Sequence, residues 1–135
     1  MPQSLSRVIV HLVFSTRNRQ PLLVPGIRLS VRAYLATVPR DHDCVAYRVG
    51  GIEDHVHLAF ALPRKNTIPA LVETIDAASS KWIKQRFPAI ENFVWQHGHG
   101  AFSIGASELE KLVRHIDRKS IIARKHFRKN IGFFG

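Results

Sequence analysis

Residues 6–15 alternate in character. Val8, Val10, Leu12 and Phe14 fall on one side, and Arg7, Ile9, His11, Val13 and Ser15 on the other. That period of two predicts a strand with one strongly apolar face. A polar loop follows, Arg17-Asn18-Arg19-Gln20-Pro21. Pro25-Gly26 then precedes a stretch with Ile27, Val31, Tyr34, Leu35 and Val38 at helical spacing, which Pro39 is expected to stop. Residues 44–49 predict a short strand, and Gly50-Gly51 a turn after it. Alternation returns over residues 55–62. Val56, Leu58, Phe60 and Leu62 share one face and His55, His57, Ala59 and Ala61 the other, with Pro63 ending the strand.

The second helix is predicted to be capped by Asn66 or Thr67, with Pro69 in its first turn. Its stripe is Ile68, Leu71, Val72, Ile75, Ser79, Trp82 and Ile83, and it ends before Pro88. Residues 93–104 suggest a strand pair broken by Gly98 and Gly100. A capping box, Ser107-x-x-Glu110, opens a last helix whose stripe is Leu109, Leu112, Val113 and Ile116. The order is β-α-β-β-α-β-α. Its first six elements match an α+β, ferredoxin-like βαββαβ pattern: an antiparallel sheet with helices on one face, plus a C-terminal helix. In that fold the first and third strands are central neighbours. His11 would then lie near His55 and His57 on a face left free for a ligand.

The 135 residues suffice for a single domain, 1–135. No run approaches the roughly 18 apolar residues of a membrane span. One cysteine, Cys44, excludes an intramolecular disulfide framework, and the polar start carries no signal peptide, so a cytoplasmic protein is expected. Charge changes the picture more. Twenty Lys+Arg against ten Asp+Glu leave +10. Residues 1–40 hold six arginines and no acid, and residues 111–129 hold eight Lys/Arg with only Asp117. A polyanion, meaning nucleic acid, is the natural partner; the blander reading is a solvated basic surface.

His55-Val56-His57 carries the candidate chemistry. Residues i and i+2 of a strand point the same way, so two imidazoles can meet one divalent ion. Eight histidines in 135 residues make such a spacing by chance about half the time, so the pair alone is a weak signal. Asp54 just before it could orient a histidine or simply serve a turn.

The stretches GGIEDHVHLAF, SSKWIKQRFP, FVWQHGHGAFSI and HLVFSTRNRQPLL resemble the single-tyrosine HUH transposases of small bacterial insertion sequences, to which the REP-associated tyrosine transposases are related. The resemblance runs from about residue 5 to about residue 119. It implies metal-dependent cleavage and joining of single-stranded or hairpin DNA by a homodimer. In that chemistry His55 and His57 help hold a magnesium or manganese ion. A helix-borne tyrosine attacks phosphorus, and a glutamine four residues later completes the ligands.

The chain departs from this pattern at its last helix. Its matching stretch is His115-Ile116-Asp117-Arg118-Lys119, so His115 stands in the tyrosine position and Lys119 in the glutamine position. Positions four apart share a helix face, so the spacing survives while the chemistry changes. Lysine has no acceptor and repels a metal cation. The expectation is a family member impaired in catalysis, or a DNA-binding regulator or remnant. Candidate DNA contacts are Arg17, Arg19, Lys81, Lys84, Arg118 and Lys119. Trp82 and Trp95 could stack on bases or fill the core, and His97 and His99 lie near the stretch the family uses close to its site. The last helix's stripe need not return to its own sheet, a further reason to expect a dimer.

Overall fold

Alternation in two strands decides which way the sheet faces. The computed structural model describes the backbone of residues 7–96 and 100–129, and the side chains of residues 8–96 and 100–119. Its elements are β1 (Arg7–Ser15), α1 (Pro25–Arg40), β2 (Val45–Ile52), β3 (His55–Pro63), α2 (Ile68–Arg86), β4 (Gly100–Ile104) and α3 (Leu109–Lys129). The strands form an antiparallel sheet in the order β2-β3-β1-β4, the ferredoxin-like arrangement. Val10, Leu12 and Phe14 of β1 and Val56, Leu58, Phe60 and Leu62 of β3 are buried against Val31, Leu35 and Val38 of α1 and Leu71, Ile75 and Ile83 of α2. Each such large apolar side chain contributes about 1.5–3 kcal/mol through burial. Val8, at the strand's start, stays 42% exposed although its side faces this layer.

The polar member of the α2 stripe has its own partner. Trp95 is buried and donates its indole N–H to Ser79 Oγ at 2.9 Å, and Ser79 donates in turn to the Ile75 carbonyl at 2.6 Å. Trp95 is therefore a core residue. Trp82 stacks on Tyr34, 4.5 Å between ring centres, and so joins α2 to α1. Thr67 caps α2 by accepting from the Ala70 N–H.

Several local expectations are corrected. Pro39 does not stop α1 but sits in its last turn, where its missing N–H removes one hydrogen bond while its ring is buried; the helix runs on to Arg40. Gly50 and Gly51 are not the turn. They pair with His57 and Val56 inside β2, and the chain reverses at Glu53–Asp54. Gly51 serves close approach: a Cβ there would stand 2.5 Å from the His55 carbonyl oxygen. The expected strand pair over 93–104 becomes a single bridge between Trp95 and Thr16 and the separate edge strand β4 on β1. Ser107 lies in a 3-10 turn, Ala106–Glu108, that leads into α3, and Glu110 pairs with Arg114 at 2.9 Å.

The larger correction concerns the face expected to be free. The last helix does return to its own sheet. Leu112 and Ile116 are buried with Ala59 of β3, and Ile104 of β4 packs beside them. Asp117 meets Arg48 of β2 at 3.3 Å. α1 and α2 thus cover one face while α3 lies on the histidine face. Among the described residues, no helix is long and apolar enough to cross a membrane.

Candidate nucleic-acid site on the histidine face

The register of β1 and β3 builds the site. His11 lies opposite Ala59 and Val13 opposite His57, so His11 and His57 are diagonal neighbours on one face. Their rings stack at 5.2 Å, and His11 Nε2 and His57 Nδ1 share a hydrogen bond of 2.9 Å. The His55 ring stands edge-on, 5.0 Å from that of His57. From above, α3 brings His115, whose ring centre lies 6.1 Å from His57 and 6.3 Å from His11. One turn further along α3, Lys119 adds its charge to the field at His57.

Burial and like charge keep the centre of this cluster neutral. His57 is 8% exposed. Its burial, with the charges of His55, His11, His115 and Lys119, lowers its pKa to about 3. His11 is lowered too, by burial first and then by His115. Among the described residues His57 Nε2, which is buried, has no hydrogen-bond partner.

His55 is held from behind. Its Nδ1–H donates to Asp54 Oδ1 at 2.8 Å, and Arg19 Nε donates to Asp54 Oδ2 at 3.0 Å. Burial pushes the Asp54 carboxyl up. The hydrogen bonds from His55 and Arg19, with the Arg19 charge, outweigh it, and the net pKa is lowered. An ionised carboxylate carries no proton, so the hydrogen of this bond sits on Nδ1 of His55. Asp54 thus both forms the turn and hydrogen-bonds His55.

Sequence reasoning missed how the loop after β1 assembles this turn. Asn18 and Arg19 are both left-handed, φ 56° and 55°, a conformation that costs side-chain-bearing residues free energy. The loop is held there by Arg17 N–H to the Val94 carbonyl at 3.0 Å and Asn18 N–H to Gln96 Oε1 at 3.2 Å. The strained pair aims Arg19 at Asp54. Further on, Arg28 approaches Glu53 at 3.5 Å, and Leu23 N–H donates to the Glu53 carbonyl at 2.9 Å. Both acids of the β2–β3 turn are therefore fastened to the segment that follows β1. The only sequence signal was that two arginines precede a Gly-Gly-Ile-Glu-Asp-His run.

The remaining predicted contacts separate into groups. Arg118 and Lys119 are exposed on α3, the helix that lies on the histidine face, and Lys119 acts on His57. Arg17 is exposed at the start of the loop; Arg19 is 58% exposed but engaged with Asp54. Lys81 and Lys84 are exposed on α2, in the layer behind the sheet, and are not brought to the histidines. His97 and His99 lie outside the described residues.

His55 Nε2 and His57 Nε2 have the chemistry of metal ligands, but among the described residues the set stops at two. His115 meets its neighbours edge-on, and the side chain at the next turn is an ammonium. Among the described residues, no three His, Cys, Asp or Glu side chains are grouped so as to hold one ion. The described residues therefore do not by themselves complete a metal centre. The two tyrosines are elsewhere: Tyr34 stacks on Trp82, and Tyr47 lines a cleft of about 290 Å³ between α1 and the edge of β2.

A ferredoxin-like sheet thus carries a histidine pair on a central strand and is crossed by a basic helix. The family model for IS200-like transposases covers residues 4–119, and the chain belongs to that family. Two solved structures share the fold. A candidate transposase of Deinococcus radiodurans R1 aligns with TM-score 0.70 at 17% identity, over 83% of this chain and 90% of that one. A REP-associated tyrosine transposase bound to a REP hairpin aligns with TM-score 0.60 at 18% identity, over 81% of this chain and 64% of that one. No curated protein sequence matches significantly.

Proposed function

We propose that this transposase-family protein binds single-stranded or hairpin DNA across the face of His11, His55, His57 and α3, and that it does not carry out phosphotyrosyl strand cleavage. The carrying observation is His115. It stands over the histidine pair at 6.1 Å from His57, in the position where the family motif has its tyrosine, while Tyr34 and Tyr47 lie in other parts of the fold. Among the described residues a magnesium or manganese ion would find two imidazole nitrogens here, and Lys119, with no acceptor, stands where the family motif has its glutamine. DNA binding is supported by the +10 charge, by exposed Arg118 and Lys119 beside the site, and by the hairpin-bound neighbour of the same fold. The homodimer the family resemblance implies would have to form without Leu112 and Ile116, which pack within the chain. Light scattering reads that point directly.

The test is a labelled strand carrying a hairpin with unpaired flanks, taken from DNA bordering the gene. It is incubated with magnesium or manganese and resolved on a denaturing gel. The unmodified protein is expected to shift the strand in a native gel and to form no protein-linked DNA. The double variant His115→Tyr, Lys119→Gln is expected to form more adduct than either single change, as residues acting as a unit do. Efficient adduct from the unmodified protein would overturn the impaired reading and leave an active transposase.

A further inference from the structure

The most exposed aromatic ring among the described residues borders the histidine cluster. Phe102 lies in edge strand β4 opposite His11, is 56% exposed, and its ring centre stands 6.1 Å from that of His11. The neighbouring position on the same face explains the ring's posture. Gly100 lies two residues earlier, opposite Val13. A Cβ at Gly100 would come within 3.1 Å of Phe102 Cε2 and 3.4 Å of Cζ. The ring therefore leans back over bare glycine backbone, supported from below and open to solvent above. Exposing an apolar ring so near a polar cluster forgoes the burial that the rest of the fold secures for Phe14, Phe60 and Phe93.

We propose that Phe102 is a stacking platform for an unpaired nucleobase, next to the phosphate that lies over His11, His55 and His57. This rests on the DNA-binding reading above and adds how the strand is gripped. A flat π-face open on one side takes any base, and only an unpaired base presents its own face fully. The occupant follows from the surroundings. The ring borders a face that carries exposed Arg118 and Lys119, in a chain of charge +10, which suits a polyanion better than an apolar protein surface. Gly100 belongs to the device because any side chain there would push the ring off its support.

Phe102→Leu and Phe102→Trp, with the unmodified protein, are titrated against a hairpin bearing a single-stranded tail that contains 2-aminopurine, and against a blunt duplex. The leucine variant is expected to bind the tailed DNA about 5- to 150-fold more weakly, the range of one lost base–aromatic stack. Its duplex affinity and salt slope should be unchanged, because phosphate contacts are intact. The tryptophan variant is expected to retain tailed-DNA affinity and to quench 2-aminopurine fluorescence on binding. Melting temperatures near that of the unmodified protein establish that both variants fold; should the leucine variant fail this check, the tryptophan variant's quenching decides. Equal tailed-DNA affinity for leucine variant and unmodified protein overturns the platform while leaving DNA binding standing. A changed oligomeric state with unchanged DNA affinity also overturns it, and assigns the ring to contact between copies. Failure of the unmodified protein to bind any DNA refutes both this proposal and the reading beneath it.

Discussion

Gly51→Ala offers a sharp test of how the histidine strand is set. The added Cβ would lie 2.5 Å from the His55 carbonyl oxygen and 2.9 Å from Val56 Cα. Carbon and oxygen settle no closer than about 3.3 Å even in favourable contacts, so roughly 0.8 Å must be found. These two closest obstacles are backbone and belong to β3, so moving the third, Val56 Cγ1 at 3.0 Å, would not relieve them. Either β2 backs away from β3 or the first residues of β3 move. Overpacking of this kind costs about 1–3 kcal/mol. For a chain of this length that is a fall of roughly 3–12 °C in melting temperature. Gly26→Ala is the internal control. That site has no atom within 4 Å of the added Cβ and lies in the first turn of α1, so a gain of about 0.4–1 kcal/mol is expected. Thermal unfolding followed by circular dichroism measures both. A Gly51→Ala protein melting within about 1 °C of the unmodified one would refute the close-approach argument.

Stability should fall on mild acidification. His57 binds its proton near pH 3 when folded and near 6.5 when unfolded, so between these values the unfolded state holds more protons and is favoured. The loss is at most about 1.4 kcal/mol per pH unit, and His11, also lowered, acts in the same direction. Denaturant midpoints from pH 7.5 to 5 read it; His57→Gln should flatten the curve, and a flat curve in the unmodified protein would contradict the buried neutral imidazole. Ser79→Ala strands the Trp95 indole N–H in the core and should cost about 1–3 kcal/mol, whereas an exposed serine such as Ser107 should tolerate the same change. Replacing Arg118 and Lys119 together by alanine should lower the slope of log affinity for single-stranded DNA against log salt by about 1.4. An unchanged slope would remove both from the phosphate contacts.

The faces of β1 and β3 could be read from residue order because a strand's period of two sorts neighbours without reference to the rest of the chain. The stripes of α1 and α2, the Thr67 cap and the same-side placement of His55 and His57 follow from equally local rules. So does the match of motif stretches to a transposase family, since those stretches are contiguous. Position in space was another matter. That His11 bonds His57, that Arg19 holds Asp54 and that Trp95 finds Ser79 are contacts between residues 46, 35 and 16 apart in sequence. Only strand register and loop geometry decide them. Gly50-Gly51 misled for the same reason: glycine marks both turns and close approaches, and the two differ only in what stands opposite. The stripe of α3 was visible, but a stripe states that a helix must be covered and not by what. The small Ala59 on the histidine face gives Ile116 and Leu112 a place to pack, and that packing carries His115 and Lys119 over the histidines.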